Sequence, residues 1–237
     1  MSASWNPWHG CRRVSEGCRN CYVYRIDDAH GKSGGEISLN SDFLLPLREG
    51  RDGYRIAPGE TVFTCFSSDF LLEEADEWRP DAWRMMKVRS DLHFIFFTKR
   101  IGRLAGCLSA DWGDGYENVT VGCTCENQQR ADERLPIFLS LPIRSRMIVC
   151  EPLLERVDLR PYLRDGIDEV CAGGESGENA RVCDFAWVTD LQSACREANV
   201  RFSYHQTGAL LLREGKLYRI PRSQQHRQAK RAGLDLP

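Results

Sequence analysis

Apolar residues follow two rhythms along this chain. Six short runs, TVFTCF (61–66), LHFIFFT (92–98), NVTVGC (118–123), RMIVC (146–150), DEVCAG (168–173) and VRFSYH (200–205), are rich in β-branched and aromatic residues and are apolar on both faces. Such runs predict strands buried under helices, as a parallel sheet requires. Between them, apolar residues recur every three or four positions. That spacing predicts helices at PDAWRMMKVRSD (80–91), at NQQRADERL (127–135) with Pro136 as its stop, and at DFAWVTDLQSACREAN (184–199). In the last of these Asp184 is placed to cap the N-terminus, while Trp187, Val188, Leu191, Cys195 and Ala198 share one face. The alternation predicts an α/β fold of right-handed βαβ units, a partial or nearly complete parallel β/α (TIM-like) barrel. No repeat or low-complexity linker divides it. Residues 1–210 therefore read as one barrel domain and residues 211–237 as a basic extension packed on it.

Polar groups gather where the strands end. TVFTCF runs into Ser67, Ser68 and Asp69; LHFIFF into Thr98, Lys99 and Arg100; NVTVGC into Thr124, Cys125, Glu126 and Asn127. The later strands lead into Glu151 and Pro152, into Gly173, Gly174, Glu175 and Ser176, and into His205, Gln206 and Thr207. In a β/α barrel these carboxyl ends meet on one face, where active sites sit. Solvated loops are polar as well, but Glu151 beside Pro152 and the Gly-Gly-Glu-Ser-Gly run are unusual for a generic loop. His205 reads as an acid, a base, a substrate ligand or a satisfied inner-barrel histidine, and Asn127 as a ligand or a helix cap.

Composition narrows the chemistry. The 237 residues are 42% hydrophobic, and 32 Lys and Arg nearly balance 34 Asp and Glu, which excludes a disordered or globally basic chain. No run approaches the roughly 18 apolar residues of a membrane span, and no secretion signal precedes Trp5, so a soluble cytoplasmic protein with no membrane partner is expected. Eleven cysteines in that setting suggest metal chemistry for the clustered ones rather than a disulfide framework. Those clustered thiols are Cys11, Cys18 and Cys21, spaced Cys-x6-Cys-x2-Cys near the N-terminus, with Gly10 and Gly17 placed to let the backbone turn tightly around a bulky group. Zinc would need a fourth ligand, from His9, His30 or a remote cysteine. A [4Fe–4S] cluster held by three thiolates leaves one iron open for a small molecule. Cys65, Cys123, Cys150 and Cys171, within strands, and Cys107, Cys183 and Cys195, in or beside helices, read as buried hydrophobes. Cys125, at a strand end facing the expected cavity, is the exception, with buried filling as its main reading and an auxiliary cluster or a radical-relay thiol as the lesser one.

NPWHGCRRVSEGCRNCY, FTKR, ENVTVGCTCEN, CEPLL, GGESG and HQTG, in this order, resemble a phage-associated family grouped with the radical S-adenosylmethionine enzymes and carrying the same three-cysteine spacing. The resemblance spans nearly the whole chain. Two features depart from the usual radical-enzyme motif: the first gap is six residues instead of three, and Asn20 precedes the last cysteine where an aromatic is common, with Tyr22 following it. The resemblance implies a partial or nearly complete β/α barrel, a [4Fe–4S] cluster on Cys11, Cys18 and Cys21, S-adenosylmethionine as cofactor, an external electron donor and an unassigned substrate. It further implies Lys99 or Arg100 on the methionine carboxylate, Asp69 with Ser67 and Ser68 on its amino group, and Glu126, Glu151 and Glu175 as candidates for ribose or substrate groups. Gly173 and Gly174 would let a ligand approach the backbone.

Two other classes stand beside it, a zinc-stabilised nucleic-acid or protein-binding module, and a non-redox barrel hydrolase or transferase using Glu151, Glu175 and His205. The tail LLREGKLYRIPRSQQHRQAKRAGLDLP (211–237) carries seven Lys and Arg against two acids. It reads either as a solvated helix and hairpin or as a surface on which Arg219, Arg222, Arg227, Lys230 and Arg231 meet nucleic-acid phosphates or an acidic protein partner, with Gln224, Gln225 and His226 beside them.

Overall fold

A computed structural model describes residues 2–51, 53–163 and 166–237. Seven strands form one parallel sheet in the order of the chain: β1 (Ser2–Trp5), β2 (Thr61–Thr64), β3 (His93–Thr98), β4 (Val119–Thr124), β5 (Ser145–Cys150), β6 (Glu169–Gly173) and β7 (Arg201–Gln206). With helices between the strands, the fold is α/β and of the partial parallel β/α barrel kind. β4 is buried at every position, which explains its unbroken apolar run. β2 stops before Cys65 because that residue adopts a left-handed conformation (φ +64°) that no strand continues through. The seventh strand is β1, whose sequence SASW buries only Trp5 and so carries almost no periodic signal. It lies just ahead of the cysteine stretch and pairs in parallel with β2, Ser2 opposite Thr61 and Trp5 opposite Thr64.

The helices are α1 (Tyr22–Ala29), α2 (Arg79–Val88), α3 (Leu104–Cys107), α4 (Gln128–Ser140), α5 (Phe185–Ala198) and α6 (Arg222–Arg231). Asp184 caps α5 by accepting from the Ala186 amide at 2.9 Å, as its position in the sequence requires. Pro136 does not end α4. It sits on the exposed side of the helix, where the carbonyl left without a donor is open to solvent, while Ala131, Leu135 and Phe138 keep the apolar face buried past it.

By density of contacts the chain divides into two compact units, Met1–Val14 with Val23–Gly122 and Ser140–Ser145, and Ser15–Tyr22 with Cys123–Leu139 and Arg146–Pro237. The first has an aromatic core. Phe70 lies 4.5 Å from Phe96 and 4.7 Å from Trp83, which in turn lies 4.9 Å from Trp112, all between ring centroids. In the second, Ile148, Val170, Val188, Leu191 and Phe202 are buried. The basic tail is part of that unit: β8 (Leu210–Arg213) and β9 (Lys216–Arg219) make an antiparallel hairpin, β8 also pairs with the two-residue strand Cys183–Asp184, and α6 buries Gln225 and Ala229.

Candidate functional site

In the first unit the carboxyl ends of β2 and β3 converge on the chain around Cys11. Asp69 is buried and accepts from Thr98 Oγ1 at 2.7 Å, from the Leu71 amide at 2.9 Å and from the Lys99 amide at 3.0 Å. Arg100 Nη1 stands 3.1 Å from the same carboxylate. That guanidinium, 5% exposed, also donates to the Arg12 carbonyl at 2.7 Å and lies 3.7 Å from Cys11 Sγ. Burial opposes its charge, yet Asp69, Cys11 and Glu73 raise its pKa on balance, so a fixed cation sits beside the first motif thiol. Ser67 Oγ donates to the Trp8 carbonyl at 3.0 Å and Ser68 Oγ to the Gly10 carbonyl at 2.5 Å, so both hydroxyls pin the backbone leading to Cys11. Gly10 is required there: its φ is +83°, and a Cβ would lie 2.1 Å from the Glu36 carbonyl oxygen. Lys99 gives its amide to Asp69, and its ammonium has no ion pair among the described residues.

The second unit holds Cys18, on a single helical turn (Glu16–Cys18), and Cys21. Two carboxylates fix this segment. Glu126, fully buried, takes hydrogen bonds from Ser15 Oγ and from the Gly17 amide at 3.3 Å, and Arg134 Nη1 faces it at 2.7 Å. Glu175 accepts from Asn20 Nδ2 at 3.0 Å and from the amide and Nε of Arg181 at 2.9 Å each, with Arg181 Nη2 at 2.5 Å from its other oxygen. Burial pushes the Glu175 carboxyl up, but the Arg181 and Asn20 hydrogen bonds outweigh it and hold it below its usual range. The Arg130 guanidinium holds the Glu16 carboxyl down to about 2. Asn127 caps α4, its Oδ1 accepting from the Arg130 amide at 2.9 Å.

Farther along the same unit, Glu151 follows β5 directly, is joined to Pro152 by a cis bond, and meets His205 Nδ1 at 2.8 Å. His205 is half-exposed, not an inner-barrel residue. Gly173 faces the Glu151 carboxylate, and Gly174 is packed so closely on Thr207 that a Cβ would lie 2.3 Å from its carbonyl oxygen. Gly174 thus brings two stretches of backbone together and Gly173 makes room for the Glu151 side chain, where the sequence suggested room for a ligand.

All eleven cysteines stand outside disulfides. Cys11, Cys18 and Cys21 are partly exposed, whereas Cys65, Cys123, Cys125, Cys150, Cys183 and Cys195 are buried; Cys107 and Cys171, expected to be buried, are partly exposed as well. Burial pushes the Cys65, Cys125 and Cys150 thiols up, and Cys183 and Cys195 to about 12, which suits hydrophobic filling. Cys125 is thus enclosed. Among the described residues no group of three or more His, Cys, Asp or Glu is already arranged around a metal. Of the candidate zinc histidines, His9 Nε2 lies 2.7 Å from Asp27 and His30 Nδ1 lies 2.8 Å from the Ile26 carbonyl. No helix among the described residues is long and apolar enough to cross a membrane.

The chain belongs to a family of proteins of unknown function, DUF5131, whose model matches residues 1–236. No curated protein matches the chain. No solved structure matches it. The carboxylate and arginine partners of the cysteine stretch, Arg134 and Arg181 above all, were not legible as such, because each lies on an element distant in sequence from the cysteine it steadies.

Proposed function

We propose that this protein is a radical S-adenosylmethionine enzyme in which Cys11, Cys18 and Cys21 hold a [4Fe–4S] cluster. The observation that carries this reading is the contrast among thiols. Six cysteines are buried, and of the five that are partly exposed Cys107 lies against Arg79 and Cys171 within β6, whereas the three with Cys-x6-Cys-x2-Cys spacing share a stretch whose backbone is pinned by Ser67, Ser68, Glu126 and Glu175. The donor set fits the group: three thiols close in sequence, a buried cation beside Cys11 to favour its thiolate, and no disulfide competing for any of them.

A cluster held by Cys11, Cys18 and Cys21 would supply the electron for reductive cleavage of S-adenosylmethionine, and with it the radical chemistry of the reaction. The chain's own residues position and charge the surroundings. Lys99 is the better partner for the methionine carboxylate, because Arg100 is already committed to Asp69 and to the Arg12 carbonyl. Glu126 and Glu175 steady the segment that carries Cys18 and Cys21. A cytoplasmic setting keeps the thiols reduced and provides an external electron donor. The substrate class suggested by the basic tail is a nucleic acid, with a protein partner as the other acidic surface it would fit.

Anaerobic purification with iron and sulfide analysis, then a dithionite-dependent assay for 5′-deoxyadenosine, tests the proposal. About four irons per chain and nucleoside formation are expected. Zinc in place of iron, or full iron content in a protein with all three cysteines changed to alanine, overturns it.

A further inference from the structure

A polar network in the second unit joins the ends of β5 and β7 to α6. Glu151 receives His205 Nδ1 on one oxygen at 2.8 Å and Gln206 Nε2 on the other. Gln206 Oε1 in turn takes Arg222 Nη1 at 2.8 Å. His226, one turn along α6 from Arg222, approaches the His205 carbonyl through Nδ1 at 2.9 Å, and the two imidazoles meet edge to face with centroids 4.6 Å apart.

These contacts fix both tautomers. A carbonyl or an ionised carboxylate only accepts, so each ring carries hydrogen on Nδ1 and keeps Nε2 as its uncommitted atom. Arg222 is exposed and has no carboxylate partner among the described residues, unlike Arg134 and Arg181 of the same unit. Arg222 and, in their protonated forms, the two imidazoles through Nε2 therefore offer donors side by side on two adjoining elements.

We propose that His205, His226 and Arg222 form a binding site for a phosphate group. A tetrahedral phosphate offers acceptor oxygens in several directions, which suits two imidazoles and a guanidinium better than a planar ligand does. The exposed cations Arg227, Lys230 and Arg231 continue along α6 and suit the repeating charge of a polynucleotide. The charged and titratable groups facing His205 are Glu151 from the end of β5 and Arg222 and His226 from α6. Hydrogen bonding to Glu151 raises the His205 pKa, outweighing burial and the opposing charge of Arg222. His205 therefore keeps its proton to higher pH than an ordinary histidine, and affinity is lost as pH rises through that raised value. This site is independent of the cysteine stretch and stands or falls without it.

The test is 15N imidazole NMR of the intact protein titrated with a short single-stranded oligonucleotide, whose phosphodiester charge is constant across the pH range used, and separately with inorganic phosphate. The His205 and His226 signals should shift on binding, and affinity should weaken several-fold between about pH 6 and about pH 8. Glu151→Gln should move that loss to lower pH, and Arg222→Gln should weaken binding about tenfold. Shifts with inorganic phosphate alone would identify a small phosphorylated ligand instead of a polymer and still support the site. Oligonucleotide binding that leaves both histidine signals unmoved overturns the site while leaving the basic tail as a nucleic-acid surface. Absence of binding by either probe overturns both.

Discussion

The charges around the cysteine stretch and those of the C-terminal hairpin and helix are used in opposite ways. Near the cysteines every arginine singled out is spent on the protein: Arg100 on Asp69, Arg134 on Glu126, Arg181 on Glu175 and Arg130 on Glu16. In residues 211–237 the single ion pair among the described residues is Arg213 to Glu214 at 3.5 Å, and Lys216, Arg219, Arg222, Arg227, Lys230 and Arg231 have none. Committed charges hold geometry. Uncommitted ones remain available to a partner, so substitutions in the first region should be read in cofactor content and stability, and those in the second in binding.

The largest effect concerns what the committed charges hold in place. Cys11→Ala and Cys18→Ala should each remove most of the iron from anaerobically purified protein, because a cube that loses one of three thiolates exposes a second iron. Cys125→Ala, at an enclosed thiol, should leave iron content unchanged. Were Cys11→Ala to keep its iron while Cys18→Ala lost it, the three thiols would not serve one centre.

Next in size is the contrast between the two buried carboxylates. Glu126 is fully buried and keeps Ser15 Oγ and the Gly17 amide, the latter at 3.3 Å, but loses its countercharge when Arg134 is removed, so Arg134→Met should cost about 3–5 kcal/mol in denaturant unfolding. Asp69 keeps Thr98 Oγ1 and two backbone amides when Arg100 is removed, so Arg100→Met should cost less, about 1–3 kcal/mol. Equal losses in the two variants would erase the distinction.

Smaller again is the acid response of Glu175. Its carboxyl is held below the usual range in the folded protein, so it contributes stability above the unfolded value of about 4.3 and loses that contribution as pH falls. Wild type should therefore exceed Glu175→Gln in stability at neutral pH, with the gap closing below about pH 4. A gap that persisted unchanged in acid would mean that the lost ion pair is not what the substitution removes.

The sheet was legible because six strands are apolar on both faces, a pattern few other structures impose on runs of five to seven residues. β1 was legible only as a strand that the cysteine stretch would supply or follow, since an edge strand of Ser, Ala, Ser and Trp buries a single side chain. Pro136 misled because propensity counts the lost hydrogen bond but not the apolar face that continues through Phe138. At the strand ends the sequence announced which residues are polar but not to what they are bonded. Ser67, Ser68, Glu126 and Glu175 looked like ligand groups, and each makes hydrogen bonds within the protein that only the fold could bring about. His205 and Glu151 were visible as two separate polar residues, and their 2.8 Å contact depends on strands brought together from far apart in the chain.

The smallest expected effect on the fold, and the sharpest test of the tail, is neutralisation of Arg227, Lys230 and Arg231 to glutamine. All three are exposed on α6, whose buried residues are Gln225 and Ala229, so stability should change by less than about 0.5 kcal/mol. Binding of single-stranded nucleic acid should respond very differently. Each phosphate contact contributes about 0.7 to the slope of log affinity against log salt, so losing three should make that slope shallower by about 2. The same substitution at a committed arginine such as Arg134 should show the reverse pattern, a large loss of stability at any salt concentration, because its partner is a buried carboxylate and screening ions do not reach it. A triple variant that unfolded at markedly lower denaturant while keeping the wild-type salt slope would place these cations among the structural ones and remove the contrast between the two regions.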